Sequence, residues 1–356
     1  MTSRSAAASL SQRKRLIGVV LIVVSACAFG SGALFAKPIY ASGLDWLTLL
    51  AWRFLIAAIA AWIWLLVIPA HRRALSRLSR RRAAVLLALG CLYVGNSGTY
   101  FAALETVPAS LAALIVYIYP ALVAVLSLRF GRRLEGRRAW MALGIVTLGV
   151  GLAVGGIQAG SVPPMLGLVL TVASPIIYAV WIILSARLSG ERSMTERRIA
   201  SAGALPPEST DPAPAVALMT TATWVIWWLA ALATGRPTSP MDLPAEAVLP
   251  LIGVGLVSTA IAITTFYAGS RRIGAANASL VSTVEPIYTI TLATILFGEA
   301  LTPVQLLGGA LVIGGVLLAQ TARPAAAEAV EPQARSTPPA VTAGRMPRAG
   351  RASRRP

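Results

Sequence analysis

This chain of 356 residues is poor in nearly everything from which a catalytic centre is built. It holds two cysteines, one histidine and 13 acidic residues. Cys27 and Cys91 both fall inside apolar runs, which argues against a disulfide framework or a metal cage, so they read as small buried thiols. His71 stands in a basic stretch, and no metal-ligand cluster, nucleophilic triad or phosphate-binding loop is present in the sequence. Neither a catalytic residue nor a metal or other cofactor is expected. Charged residues amount to 12% against 56% hydrophobic, which excludes a large soluble domain.

What is present is apolar sequence in long runs. Ten stretches are long enough to cross a hydrocarbon core of about 30 Å: 16–35, 47–68, 83–104, 109–128, 139–154, 165–184, 216–233, 248–269, 275–296 and 306–319. The expected fold is therefore an all-α polytopic membrane protein with ten transmembrane helices. A short basic segment, 1–15, precedes the first. The run that follows Arg13-Lys14-Arg15 resembles a secretion signal, and Val24 to Cys27 fits a lipoprotein cleavage pattern. It nevertheless continues eight residues past Cys27, so it reads as an uncleaved span.

The net charge of +18 is not a nucleic-acid footprint, because it is spread over six separate places instead of one groove. Lys and Arg number 4 before the first span, 6, 5, 4 and 2 in the even-numbered connections and 7 in the tail. The odd-numbered connections carry only Lys37 and Arg236. The positive-inside rule places the arginine-rich side, and with it both termini, in the cytoplasm of a plasma (inner) membrane protein. The tail, 320–356, is rich in Arg, Pro and Ala without an apolar periodicity; it is expected to be disordered and suited to anionic lipid headgroups.

An internal repeat organises the spans. At a constant offset of 166 residues, Tyr100-Phe101-Ala102 meets Phe266-Tyr267-Ala268, Ala109 meets Ala275, Leu114-Ile115 meets Leu280-Val281 and Pro120 meets Pro286. Two halves follow, 16–154 and 155–319, the second containing a long polar linker at 189–213. Five spans in each half make the second copy enter the membrane from the opposite side. Inverted repeats of this kind recur in secondary transporters, with the substrate site near the midplane.

With Arg53-Phe54, Tyr119-Pro120 and the glycines of the fifth span in one half, and Ile273-Gly274-Ala275, Glu285-Pro286, Phe297-Gly298-Glu299 and Gly308-Gly309 in the other, the chain resembles the EamA-type transporters of the drug/metabolite transporter superfamily. The resemblance covers nearly all of 16–319. It implies export of small metabolites such as amino acids, or of drugs, and its motifs specify fold better than substrate. Gly131-Arg132-Arg133 departs from the pattern of Gly298-Glu299, so that carboxylate survives in one copy only.

Ionisable residues within spans are functional candidates by default. Arg53 follows the external Asp45 by eight residues, about 12 Å along a helix, and Glu285 lies ten residues into the ninth span, so the two match in depth and can pair. Glu285 admits two readings, a proton carrier or counter-ion for a cationic substrate, and a fixed ion pair between helices. Arg53 either ties helices together or receives a substrate carboxylate. Pro120 and Pro286 are expected to kink their helices at mid-depth and to free the carbonyls of Val116 and Ser282. Asn96, Tyr100, Tyr119 and Tyr178 complete the substrate-binding candidates. The glycines of spans five and ten allow close packing, within a monomer or across a homodimer. A secondary transporter for small molecules is the leading expectation; cationic compound efflux and a non-transporting sensor or scaffold are the alternatives.

Overall fold

The computed structural model describes residues 2–119, 122, 137–155, 162–188, 212–273, 281–282 and 284–321. The described backbone is helical. We number the helices α1 (Thr2–Ala41), α2 (Trp46–Val67), α3 (Pro69–Ser76), α4 (Arg80–Leu104), α5 (Ala109–Val116), α6 (Arg137–Gly155), α7 (Met165–Leu188), α8 (Pro212–Ala233), α9 (Ala245–Gly255), α10 (Ala262–Ile273), α11 (Val284–Phe297) and α12 (Pro303–Thr321). A π-helical segment, Leu256–Ile261, joins α9 to α10. Among the described residues, six helical stretches are long and apolar enough to cross a membrane. The remaining expected spans coincide with shorter helices or lie partly outside the described residues, as do most of the linker and the tail beyond 321.

Local chemistry sets the helix ends. Asp45 opens α2 by accepting from the Thr48 N–H at 3.0 Å, and Ser79 opens α4 by accepting from Arg82 N–H. Gly298, with φ +66°, closes α11 in the left-handed conformation that a side chain resists. Large apolar side chains face outward along the helices, among them Ile63, Val67, Leu166, Leu229, Leu249 and Ile295, each more than half exposed. In water that perimeter would be a liability; against acyl chains it is the required surface.

Helix packing obeys an exchange of the two halves. α1 packs along α9, the π segment and α10, and its counterpart α7 packs along α4. α2 meets α8, α5 meets α11 and α6 meets α12, each pair being its own image. Glycines serve these contacts: a Cβ on Gly149 would stand 2.6 Å from the Gly308 carbonyl, and one on Gly90 would stand 2.3 Å from the Met219 carbonyl. At Gly144, Gly151 and Gly314 a Cβ would meet no described atom.

The core is uneven along the bundle. Its largest cluster includes Leu34, Ile39, Leu47, Leu50, Leu104, Val107, Leu111, Trp227, Ala231 and Leu251, residues in the turns nearest the arginine-poor connections. A smaller cluster of Ala61, Leu65, Ala213, Val216 and Ala217 lies toward the arginine-rich side. One expectation fails at this level: Cys91 is exposed on α4 and not a buried thiol, while Cys27 is half-buried.

Candidate functional site

Arg53 sits on the inward face of α2 and is 4% exposed. Its Nε donates to Thr259 Oγ1 at 2.8 Å, and Thr259 in turn donates to the Val254 carbonyl at 2.9 Å. Thr259 belongs to the π segment, where one extra residue per turn brings its hydroxyl under the guanidinium. The guanidinium lies over the Phe101 ring at 4.4 Å and the Phe54 ring at 5.3 Å. Its Nη1 is buried without a hydrogen-bond partner among the described residues.

Glu285 occupies the first turn of α11 and interacts electrostatically with Cys27, Tyr93, Tyr100, Tyr117 and Tyr119. Tyr93 and Tyr100 interact with Arg53 as well. The two intramembrane charges therefore share tyrosine neighbours, yet Arg53 and Glu285 form no ion pair with each other. The ion-pair reading of matched depth is corrected: the guanidinium bonds to Thr259 and lies over Phe101 instead.

An aromatic path continues from there. Phe54 meets Tyr93 edge-on at 6.1 Å; Tyr93 meets Trp181 at 5.2 Å and Tyr178 at 6.4 Å; Tyr178 meets Tyr119 at 4.8 Å. Tyr119 then meets Tyr117 at 5.7 Å, whose buried hydroxyl has no partner among the described residues. Asn96 Oδ1 accepts from Ser174 Oγ at 3.1 Å, tying α4 to α7 one turn before Tyr178. Of the five substrate-binding candidates, Tyr119 and Tyr178 touch, Asn96 is engaged by Ser174, and Tyr100 interacts electrostatically with both Arg53 and Glu285.

Pro286 behaves differently from expectation. Pro286 is buried in the first turn of α11, where a missing N–H costs nothing, and the break lies ahead of it. The Ser282 carbonyl is not free, since it accepts from the Glu285 N–H at 3.0 Å. Pro120 lies outside the described residues, although α5 ends at Val116 with a turn at Tyr117, the position that the offset of 166 places opposite residue 283.

Four contributors were less visible in sequence. Tyr93 precedes Asn96 and Tyr100 by three and seven residues, a helical-face spacing that marks it in retrospect. Tyr117, Phe101 and Thr259 carry no such signal, since their roles depend on a turn, a stacking partner and a π segment.

Several polar bonds join the helices at the arginine-poor end. Asp45 pairs with Arg236 at 3.0 Å, and Trp52 Nε1 donates to the Pro237 carbonyl at 3.1 Å. Glu299 accepts from the Ala109 and Ser110 N–H groups at 3.0 and 2.9 Å, capping α5 from the other half. Lys37 Nζ donates to the Leu104 and Val107 carbonyls and lies 3.9 Å from Glu299. Glu105 accepts from the Trp46 N–H at 2.6 Å; partial burial lifts its carboxyl above the usual carboxylate range, and that hydrogen bond opposes the lift.

Comparison with known proteins agrees with this architecture. The sequence pattern of the EamA-like transporter family matches twice, over residues 16–155 and 165–321. An uncharacterized transporter from Archaeoglobus fulgidus is 26% identical over 302 residues, covering 85% of this chain and 96% of its own. A protein of known crystal structure, 21% identical, shares the fold with a TM-score of 0.55 over 86% of this chain and 96% of its own. With both copies of the repeat matched, this multi-pass membrane protein belongs to the EamA-like transporter family.

Proposed function

We propose that the chain is a secondary transporter of the plasma (inner) membrane, with ten spans in two inverted halves and both termini cytoplasmic, that exports small metabolites such as amino acids by alternating access. One observation carries the reading. The helices pack as exchangeable halves, and among the described residues the arginine-poor end is joined across them by the Asp45 to Arg236 pair and by Glu299 on the start of α5. Two equivalent halves joined by such contacts are one arrangement of a rocking pair; the exchanged arrangement opens the opposite side. The substrate lies between α2, α4, α7 and α11, where Arg53, Asn96, Tyr100, Tyr119, Tyr178 and Glu285 converge.

Glu285 is the coupling carboxylate in this reading, carrying a proton during each cycle. In proteoliposomes with an imposed pH gradient, Glu285→Gln is expected to reconstitute normally and to lose proton-driven accumulation of a transported solute. Retention of full proton-driven transport by the folded variant would remove Glu285 from this role.

A second reading has its own support. Tyr93, Tyr117 and Tyr119 interact electrostatically with Glu285 and are joined through Tyr178 and Trp181 into one aromatic group, a setting that suits an organic cation. Transport of quaternary amines in preference to amino acids, measured in the same vesicles, would favour it.

A further inference from the structure

Arg53 presents a problem that the fold does not solve. A guanidinium is always charged, and burying one without a carboxylate is costly. Here one nitrogen is satisfied by Thr259, one face is covered by Phe101, and Nη1 has no partner among the described residues. The surrounding groups able to interact with it electrostatically are the neutral phenols Tyr40, Tyr93 and Tyr100. Buried polar groups in native proteins are nearly always paired, so an orphaned cationic donor at mid-depth calls for a missing anion.

We infer that Arg53 is the anchor for the carboxylate of a transported substrate, which makes the substrate class small metabolites bearing a single carboxylate. This rests on the carrier reading above and deepens it. The chemistry fits in three ways. A guanidinium fork matches a carboxylate in shape and charge. Thr259, itself held by the Val254 carbonyl, fixes the plane of the fork through Nε and leaves Nη1 for the ligand. A single cation, with the acid Glu285 acting on the same two tyrosines, favours a monoanion over a dianionic phosphate. Phe101 caps the guanidinium in this conformation, so the ligand reaches Nη1 when the ring moves aside as the halves rock.

The test compares matched pairs of carboxylate and amide on the purified full chain: phenylalanine with phenylalaninamide, alanine with alaninamide, and benzoate with benzamide. Affinity is read by thermal shift and by counterflow in proteoliposomes. At least one carboxylate is expected to bind tenfold or more tightly than its amide, and Arg53→Gln is expected to erase that preference. Thr259→Val, which keeps the charge but frees the fork, is expected to weaken the carboxylate severalfold without changing the amide, and it serves if Arg53→Gln does not fold. Equal affinity within every pair, tighter binding of the amides, or a preference that survives in folded Arg53→Gln would overturn the anchor and leave the carrier standing. Failure of all six compounds to bind or exchange would overturn both.

Discussion

Among single residues, the acids divide by what surrounds them. Glu299 receives two backbone N–H groups from the start of α5 and has Lys37 nearby, so it works as a helix cap supplied by the opposite half. Hydrogen bonds to a charged acceptor contribute about 1.5–3 kcal/mol, and an amide can accept only one of the two on its oxygen. Glu299→Gln is therefore expected to lower stability by about 1–2 kcal/mol, measured as a drop in melting temperature in detergent. Glu105 differs in sign. An acid whose folded value is raised favours the native state below its unfolded value, about 4.3, and loses that contribution as pH rises through the folded one. Glu105→Gln keeps an acceptor for the Trp46 N–H, so its melting temperature relative to the native chain should improve from pH 4 to pH 7. A relative decline over that range would mean that the ionised form is the one the fold prefers.

Elements end where particular backbones allow it. Gly298 stops α11 with φ +66° and directs the chain so that Glu299 reaches α5. Gly298→Ala should cost about 1–2 kcal/mol from the left-handed conformation, and more if the cap is lost with it. At Gly90 the restriction is contact: an added Cβ meets the Met219 carbonyl at 2.3 Å, so Gly90→Ala must push α8 away from α4. Gly144→Ala meets no described atom and should leave the melting temperature unchanged. Comparing these two alanine variants by thermal unfolding separates a packing glycine from one that merely occupies a helix.

Across the whole molecule, the arginine-poor end is held by contacts between halves that involve few residues. Removing the Asp45 to Arg236 pair and the Glu299 cap together, as Arg236→Ala with Glu299→Gln, should shift the balance toward a form open on that side. Exposed ion pairs contribute about 0–1 kcal/mol, so the pair alone should do less than the cap. In a Cys27→Ser, Cys91→Ser background carrying Asn96→Cys, the double variant is expected to react faster with a membrane-impermeant thiol reagent added from outside. Unchanged labelling would mean that the apolar cluster alone closes this end.

The apolar runs, the alternation of arginine and the offset of 166 were enough to identify a membrane-spanning, all-helical repeat protein, because burying a backbone in lipid leaves helices with few alternatives and a repeat needs no coordinates to be seen. They also marked Arg53 and Glu285, since an ionisable group inside an apolar run stands out wherever its neighbours are. What Arg53 touches is another matter. Its bond to Thr259, the stacking of Phe101, the tyrosines shared with Glu285 and the use of Glu299 as a cap all join residues between 40 and 206 positions apart. Which helix faces which is settled by ridges, glycine contacts and a π segment, whose energies arise only when the halves are packed. Composition and periodicity determined the membrane-spanning material and its repeat; tertiary packing alone decided which donor of a buried charge was left without a partner among the described residues.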